Sequence, residues 1–264
     1  MRMLATDLDG TLLGPGGAVT ERTIAALQAA RDAGWYVVLA TGRPPYMVEL
    51  LMPQLGAIAT HGVMANGSVV ATLPDLHVLR AMRFEIGLAT GVVERLRAID
   101  DEYGFALATD AGFAHENGFA QRMPAPTPSP PVDDVMIAAA GATEAIKLMV
   151  FHRRHGAHEL LGLLPTILGH DVSVTHMGAD CVEVGVAGID KANGLRFLCD
   201  HLGVDRTEVV AFGDEYNDHE MLMWAGHGVA MANAPEATRA IADEVTVSNL
   251  DDGVAVALER MLRG

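Results

Sequence analysis

Cysteine is scarce in this chain. Its 264 residues include two, Cys181 and Cys199, and no Cys-x-x-Cys pair occurs. Disulfide-stabilised secreted domains and structural zinc sites use several cysteines at short, regular spacings. The sequence therefore indicates neither a disulfide framework nor a zinc site, and its cysteine usage is that expected of a protein in a reducing cytoplasm.

Basic residues are also few, since 18 Lys and Arg stand against 34 Asp and Glu and give a formal net charge of −16. No run of basic residues offers an electrostatic path to a phosphate backbone, so we expect no nucleic-acid partner. The same net charge would repel an anionic substrate at long range. A phosphate site in this chain therefore needs a local cation, a lysine or backbone N–H groups.

Long hydrophobic runs are missing as well. The longest ones, such as residues 135–140, are far shorter than the roughly 20 apolar residues that a membrane helix requires. The chain reaches Asp7 before any long apolar stretch, so no targeting segment is expected. The sequence predicts a soluble, cytoplasmic protein without a membrane partner, either a monomer or a homodimer.

Half of the residues are hydrophobic, which is enough for one large core or two modest ones. Strand-like and helix-like segments alternate. Thr20 and Gly34 bracket a predicted helix, and residues 35–40 form an apolar run typical of a strand covered on both faces. Such strand–helix–strand units predict an α/β fold with a doubly wound, Rossmann-like parallel sheet, whose ligands bind at the carboxyl ends of the strands.

The pattern changes from about residue 84 to residue 186. Here predicted helices at 86–103 and 158–168 mix with short strands at 105–109, 113–116, 147–151, 172–176 and 181–186 and with a proline-rich loop at 124–131. This mixture is typical of an α+β fold. We therefore predict an inserted α+β domain at 84–186 and a core domain made of residues 1–83 and 187–264.

Asp7 and Asp9 follow the first predicted strand, two residues apart. Because residues i and i+2 of a strand point to the same side, both acids would leave its carboxyl edge together. Two such carboxylates resist ionising together unless a cation lies between them, so the spacing indicates a divalent metal or a division into base and acid. A solvated pair at a strand end is the ordinary alternative for an Asp-x-Asp triplet.

Four polar clusters occur in a fixed order along the chain: Asp7, Asp9 and Thr11; then Thr41, Gly42 and Arg43; then Lys191; then Asp214, Asn217 and Asp218. With this order, and with a tail from 221 to 254, the chain resembles the haloacid dehalogenase (HAD) superfamily, in particular its Cof-like branch with an inserted type IIB cap. The resemblance covers nearly the whole chain. It implies a HAD core with catalytic residues and a cap at 84–186 that sets substrate specificity.

The resemblance also implies an activity. It is that of a Mg²⁺-dependent phosphatase that hydrolyses small phosphorylated metabolites, such as sugar phosphates or phosphorylated cofactors, through an aspartyl-phosphate. Asp7 would be the nucleophile, and Asp9 the general acid and then the general base. The side chains of Asp7 and Asp214 and the backbone carbonyl of Asp9 would hold the metal ion.

The other residues of the clusters would serve the phosphoryl group. Its expected ligands are Thr41, the Gly42 N–H, Arg43, Lys191 and Asn217, and for Asn217 a metal-bound water is the alternative partner. Asp218 would orient a metal-bound water or Lys191. Two assignments stay open from the residues alone: Arg43 contacts substrate or only braces its loop, and Asn66 shapes a turn or supports the phosphate site.

Alternative functions also stay open. A dehalogenase of the superfamily would lack the second acid and its pumps carry Thr there, so Asp9 favours ester hydrolysis. A phosphomutase shares the second acid and is not separated by this argument. A catalytically silent binding or regulatory protein would be expected to have lost Asp7, Lys191 or Asp214, and all three are present. The three histidines at 152, 155 and 158 invite a metal interpretation, but their surroundings are more typical of an exposed turn.

Overall fold

The computed structural model of the protein describes residues 2–82, 84–109, 112–123, 127, 129–176 and 179–263. The chain forms two compact units. The first contains the residues up to Ala81 and from Asp190 onward, and the second contains Met82–Ile189. The proline-rich loop predicted at 124–131 lies partly outside the described residues.

The secondary structure alternates in the first unit and is mixed in the second. The strands are β1 (Met3–Thr6), β2 (Tyr36–Ala40), β3 (His61–Met64), β4 (Val69–Thr72), β5 (Val78–Ala81), β6 (Phe84–Glu85), β7 (Tyr103–Thr109), β8 (Gly112–His115), β9 (Glu144–His152), β10 (Val172–His176), β11 (Val182–Val186), β12 (Val209–Gly213), β13 (His227–Ala230) and β14 (Glu244–Val245). The helices are α1 (Glu21–Asp32), α2 (Pro45–Glu49), α3 (Met52–Leu55), α4 (Ile86–Ile99), α5 (Val135–Ala138), α6 (Ala157–Leu168), α7 (Lys191–Leu202), α8 (His219–Trp224), α9 (Glu236–Ile241) and α10 (Gly253–Leu262).

The first unit is built on an eight-stranded sheet in the order β14-β13-β12-β1-β2-β3-β4-β5. The six strands from β14 to β3 run parallel, and β4 and β5 add an antiparallel edge. The predicted α/β fold with a Rossmann-like parallel sheet is confirmed. Because β1, β2 and β12 are parallel neighbours, the residues that follow each of them meet at one edge of the sheet.

Both faces of this sheet are covered, which explains the continuous apolar strands. On β1, Leu4 packs into one core cluster, whereas Met3 and Ala5 pack into another. The first cluster includes Leu27 of α1, and the second includes Leu195 of α7. Successive side chains of a strand point to opposite faces, so a strand between two helical layers needs apolar residues at every position.

The predicted helix boundaries are confirmed in one place and wrong in another. Thr20 caps α1, because its side-chain oxygen accepts a hydrogen bond from the backbone N–H of Thr23 at 3.1 Å. The helix expected from Pro45 to about Met52 is instead two short helices, α2 and α3. Pro53 has no N–H to donate to the carbonyl one turn earlier, which interrupts the helical hydrogen bonding, and it lies in the first turn of α3, where that N–H is not needed.

The second unit has an antiparallel sheet in the order β10-β11-β9-β7-β8, with β6 paired to β9. Its core joins Leu96 of α4 and Leu164 of α6 to Leu148 and Val150 of β9. The mixed α+β character expected for this part of the chain is confirmed. Helix α4 ends at Ile99, four residues before the predicted end, because Asp100 has extended backbone geometry with φ −153°.

The described residues contain no helix that is both long enough and apolar enough to span a membrane.

Candidate active site

Three buried carboxylates meet at the carboxyl edge of the parallel sheet. Asp7 follows β1 and Asp214 follows β12, and the two strands pair in parallel register. Asp218 lies in the single turn, Tyr216–Asp218, that precedes α8. One carboxylate oxygen from each acid lies within 4.8 Å of the others. The exposed fractions of Asp7, Asp214 and Asp218 are 5%, 6% and 0%. Bulk water therefore does not solvate these carboxylates, and their charge needs compensation from other groups.

Lys191 supplies the positive charge next to these acids. It is the first residue of α7, and its ammonium group donates to Asp7 Oδ1 and to Asp218 Oδ1, each at 2.6 Å. Its exposed fraction is 0%. Lys191, predicted to bind the phosphoryl group, thus bridges two carboxylates in this structure. Asp218, predicted to orient Lys191 or a metal-bound water, does contact Lys191.

Asp218 also shapes the loop after β12. Its second oxygen, Oδ2, accepts hydrogen bonds from the backbone N–H of Asp214 at 2.9 Å and of Glu215 at 3.0 Å. These two bonds hold the chain in the turn that carries Asp214 back toward β1. Asp218 therefore links the lysine to the backbone that positions Asp214.

The electrostatics of the cluster favour an additional cation. Burial raises the pKa of Asp7 well above its ordinary value; the Lys191 ammonium opposes the rise, and Asp218 and Asp214 add to it. Burial likewise raises the pKa of Asp214 to about 7, helped by repulsion from Asp218. For Lys191, burial alone disfavours the ammonium, but Asp218 and Asp7 hold its pKa above the ordinary value. Three acids thus share one ammonium, which leaves an excess of negative charge.

The residues around Asp214 fit a divalent cation. Every ligand atom of the cluster is a carboxylate oxygen, the donor type that Mg²⁺ prefers. Gly10, with φ +81°, lies so close to Asp214 that a Cβ on it would overlap the Asp214 Oδ2 atom. Thr11 donates its hydroxyl to Asp214 Oδ1 at 2.6 Å. Thr11 therefore orients the Asp214 carboxylate, and the missing side chain of Gly10 leaves the space that the carboxylate occupies. A metal ligand needs such a fixed orientation.

Asn233 is a residue of this site that the sequence analysis missed. Its amide nitrogen donates to the Gly10 carbonyl at 2.8 Å and lies 3.4 Å from Asp214 Oδ2. Its amide oxygen accepts from the backbone N–H of Asn249. Asn233 follows β13 at the same sheet edge as the other clusters, and that position was the signal that could have revealed it.

The Thr41-Gly42-Arg43 segment follows β2 at the same edge. The Thr41 hydroxyl accepts a hydrogen bond from the Arg43 backbone N–H at 3.0 Å, which closes a tight turn. The Arg43 guanidinium does not join the buried cluster. It donates to both oxygens of Asp9, and the side chain of Asp9 is 44% exposed. Arg43, predicted to bind the phosphoryl group, therefore lies against the second acid.

Asn217 lies in the turn with Asp218 and is buried. Its amide nitrogen donates to Asn66 Oδ1 at 3.1 Å. Of the histidines at 152, 155 and 158, expected in an exposed turn, His152 is instead the buried last residue of β9, and its Nδ1 accepts two backbone hydrogen bonds. Within the described ranges, the acidic cluster is the sole group of metal-type ligands.

Comparisons with known proteins show the family of this chain. The family model described as haloacid dehalogenase-like hydrolase matches residues 4–258. A 5-amino-6-(5-phospho-D-ribitylamino)uracil phosphatase of Bacillus subtilis is 30% identical, over 96% of this chain and 94% of that protein. A pyridoxal phosphate phosphatase of Escherichia coli is also 30% identical, over 96% of each chain.

Solved structures give the same result for the fold. A protein from Bacteroides thetaiotaomicron, described among the phosphatases of the haloalkanoate (HAD) enzyme superfamily, has a TM-score of 0.82 and 28% identity over 98% of this chain and 94% of its own. A haloacid dehalogenase-like hydrolase from B. subtilis has a TM-score of 0.84 and 25% identity over 99% of this chain and 100% of its own. The chain belongs to the haloacid dehalogenase-like hydrolases.

Proposed function

We propose that this protein is a Mg²⁺-dependent phosphatase that hydrolyses small phosphorylated metabolites. The observation that carries the proposal is the buried group of Asp7, Asp214 and Asp218 around the Lys191 ammonium at the carboxyl edge of the sheet. Relatives that are 30% identical over nearly their full length are named as phosphatases of small molecules. We place the protein in the cytoplasm, as a monomer or a homodimer.

Asp7 is the proposed nucleophile. Lys191 donates a hydrogen bond to its Oδ1 atom and so restricts the rotation of the carboxylate. The other carboxylate oxygen attacks phosphorus, the bond from phosphorus to the substrate's bridging oxygen breaks, and an aspartyl-phosphate forms. Asp7 and Asp214, with the Asp9 backbone carbonyl, would hold Mg²⁺, which supplies neutralisation of the phosphoryl charge when bound.

Asp9 is the proposed acid and base. In the first half-reaction it gives its proton to the departing alcohol oxygen. In the second it takes a proton from the water that attacks the aspartyl-phosphate, which releases inorganic phosphate and regenerates Asp7. Each half-reaction reverses the protonation change of the other, so Asp9 ends as it began.

The phosphoryl oxygens need hydrogen-bond donors. The proposed donors are the Thr41 hydroxyl, the Gly42 N–H, the Asn217 amide and Lys191. Among them, the Lys191 ammonium and the Gly42 N–H are the kinds of local group that an anion needs in a protein with a net charge of −16. The inserted unit, residues 84–186, is proposed to act as the cap that excludes water and selects the substrate.

Phosphate release from a panel of phosphorylated metabolites tests the proposal. The panel contains pyridoxal phosphate, 5-amino-6-(5-phospho-D-ribitylamino)uracil and several sugar phosphates, each assayed with and without Mg²⁺. The blank is Asp7→Asn, and the matched control is Asp32→Asn, which changes an exposed acid on α1. We expect release that needs Mg²⁺, persists in the control and is abolished in the blank. Release that survives Asp7→Asn would overturn the proposed nucleophile.

Metal binding is tested separately from turnover. Mg²⁺ that binds only the folded protein raises its melting temperature in proportion to the logarithm of metal concentration. We expect this rise in the wild type and in Asp32→Asn, and its loss in Asp214→Asn. An unchanged rise in Asp214→Asn would exclude this residue as a ligand.

A further inference from the structure

The short turn Ala65–Gly67 has an unusual backbone. Three consecutive residues have positive φ: Ala65 at 47°, Asn66 at 53° and Gly67 at 96°. Residues with a Cβ rarely adopt this region, and two in succession are rarer still. A Cβ on Gly67 would overlap the backbone oxygen of Asp190, the residue that caps α7. The turn is therefore packed against the start of the helix that carries Lys191.

The same turn is bonded to the segment after β2. The Ala65 N–H donates to the Arg43 carbonyl at 3.0 Å, and the Asn66 N–H donates to the Thr41 carbonyl at 3.1 Å. Arg80 adds a bond to the Gly67 carbonyl at 3.3 Å. The turn thus has a fixed position relative to two of the polar clusters at the sheet edge.

The side chain of Asn66 reaches the cluster that contains Asp214, Asn217 and Asp218. Its Oδ1 accepts a hydrogen bond at 3.1 Å from Asn217 Nδ2, although 151 positions separate the two residues. An amide oxygen accepts and cannot donate, so Asn66 selects the orientation in which Asn217 presents its NH₂ group. Rotation of that amide by half a turn would place two oxygens against each other.

We propose that Asn66 is a positioning residue of the phosphate site. It holds one N–H of Asn217, and the second N–H donates to a phosphoryl oxygen. Without Asn66, the Asn217 amide also samples the orientation that turns its carbonyl oxygen toward the anion, where it repels instead of binds. The inference rests on the proposed phosphatase function, and it adds the residue that sets the direction of one of its phosphate ligands.

Inhibition by inorganic phosphate, the product, measures this effect. Asn66→Gly removes the amide and keeps a residue suited to positive φ; Ala65→Gly is the matched control, since it changes the backbone of the same turn without removing a polar group. We expect Asn66→Gly to raise the inhibition constant for phosphate about tenfold, as loss of one hydrogen bond to a charged group does. KM should rise with it and kcat should change less, while Ala65→Gly stays within twofold.

A double variant tests whether Asn66 acts through Asn217. Asn217→Ala alone should also weaken phosphate binding about tenfold, and Asn66→Gly combined with Asn217→Ala should weaken it no further. The proposal would be overturned if the double variant raised the inhibition constant by the product of the two single effects. It would also be overturned if Asn66→Gly changed that constant no more than Ala65→Gly does.

Nuclear magnetic resonance of the Asn217 side-chain amide gives a readout that does not depend on turnover. In the wild type its NH₂ protons should exchange slowly with water; in Asn66→Gly they should exchange faster, and in Asn66→Asp, which keeps an acceptor, they should stay slow. Fast exchange in the wild type would overturn the positioning role. If no phosphate ester is hydrolysed but the exchange follows this pattern, the proposed function fails and the positioning of Asn217 stands.

Discussion

Arg43 holds both oxygens of the Asp9 carboxylate: its Nε donates to Oδ2 at 2.7 Å and its Nη2 donates to Oδ1 at 2.5 Å. The side chain of Arg43 is 19% exposed and that of Asp9 is 44% exposed. A planar guanidinium in this arrangement fixes the plane of the carboxylate. In the proposed reaction Asp9 transfers a proton to the departing alcohol oxygen. A carboxyl group held in one orientation keeps that proton directed toward the substrate.

The first prediction separates two roles of Arg43. Arg43→Lys keeps the positive charge and cannot make the two parallel hydrogen bonds. If Arg43 orients Asp9, we expect kcat to fall about tenfold, because about 1.4 kcal/mol of stabilisation is lost from proton transfer. The inhibition constant for inorganic phosphate should change less than twofold. Steady-state kinetics with product inhibition measures both.

The matched control is Arg22→Lys. It removes a bidentate ion pair between Arg22 and Glu259 on the exposed surface. Its kinetics should equal those of the wild type. A rise in the phosphate inhibition constant of Arg43→Lys, larger than the fall in kcat, would assign Arg43 to phosphate binding, as the sequence analysis expected.

The second prediction concerns the approach of Gly10 to Asp214. Gly10→Ala places a Cβ against the Asp214 carboxylate at a backbone φ of +81°. Gly16 has a similar φ of +73° with nothing within 4 Å of an added Cβ, so Gly16→Ala reports the backbone effect alone. We expect Gly16→Ala to lose about 1–2 kcal/mol of stability in urea unfolding, and Gly10→Ala to lose more.

The effect of Mg²⁺ on the melting temperature should differ between the same two variants. The rise in melting temperature with Mg²⁺ should persist in Gly16→Ala and be lost in Gly10→Ala, because the displaced Asp214 carboxylate no longer meets Asp7. Equal metal responses in the two variants would show that the Asp214 position has no role in metal binding.

Much of the fold could be predicted because it follows from local patterns. The run at 209–212 and the polar residues after it identify β12 and Asp214 without any tertiary information. A parallel sheet then brings the ends of β1, β2 and β12 together, so the sequence was enough to group Asp7, Thr41 and Asp214. The break between α2 and α3 was not predicted, because proline is compatible with the first turn of a helix at Pro45 but interrupts the hydrogen bonding of a continuous helix at Pro53.

The partners of the grouped residues could not be predicted. Whether the Arg43 side chain points toward a phosphate or toward Asp9 depends on its rotamer, which the alternation of residues along a strand does not determine. Thr11 meets Asp214 across 203 positions, and Asn233 reaches Gly10 across 223. Such contacts are set by packing of distant elements. Strand-end position identifies which residues lie at the same sheet edge, and the tertiary packing decides what each one contacts.

The third prediction tests the ammonium between buried acids. Lys191→Met removes the charge that Asp7 and Asp218 share. Removing one partner of a buried ion pair leaves uncompensated charge, so we expect a loss of about 3–5 kcal/mol in the free energy of unfolding without metal. Arg196→Met, which changes an exposed cation on the same helix, should lose less than about 1 kcal/mol.

Adding Asp218→Asn to Lys191→Met should recover part of the lost stability, since it removes one of the two unpaired carboxylates. Urea unfolding of the two single variants and the double variant at one pH measures this. If Lys191→Met were as stable as Arg196→Met, the ammonium would not be compensating the buried carboxylates, and the interpretation of the raised pKa values of Asp7 and Asp214 would be wrong.

The fourth prediction concerns the pH dependence of stability at His61, the first residue of β3. The ring is buried: its exposed fraction is 7%, Nδ1 lies 3.0 Å from Thr60 Oγ1, and Tyr36 packs edge-on at 5.8 Å between ring centroids. Burial lowers the pKa of His61 below its ordinary value, with smaller contributions from His201 and Arg31. The folded protein therefore resists protonation of this ring.

The sign of the effect follows from proton counting. Above the ordinary histidine pKa of about 6.5, His61 is neutral in both the folded and the unfolded state. As the pH falls below that value, the unfolded chain binds a proton first, so stability falls until the pH passes the lowered pKa of the folded state. His61→Gln cannot titrate and loses packing at every pH. We expect the free energy of unfolding of His61→Gln to lie furthest below that of the wild type at pH 8, and the difference to be smaller at pH 5. Urea unfolding at both pH values measures it. A deficit that stays constant would show that His61 takes up its proton equally well in both states.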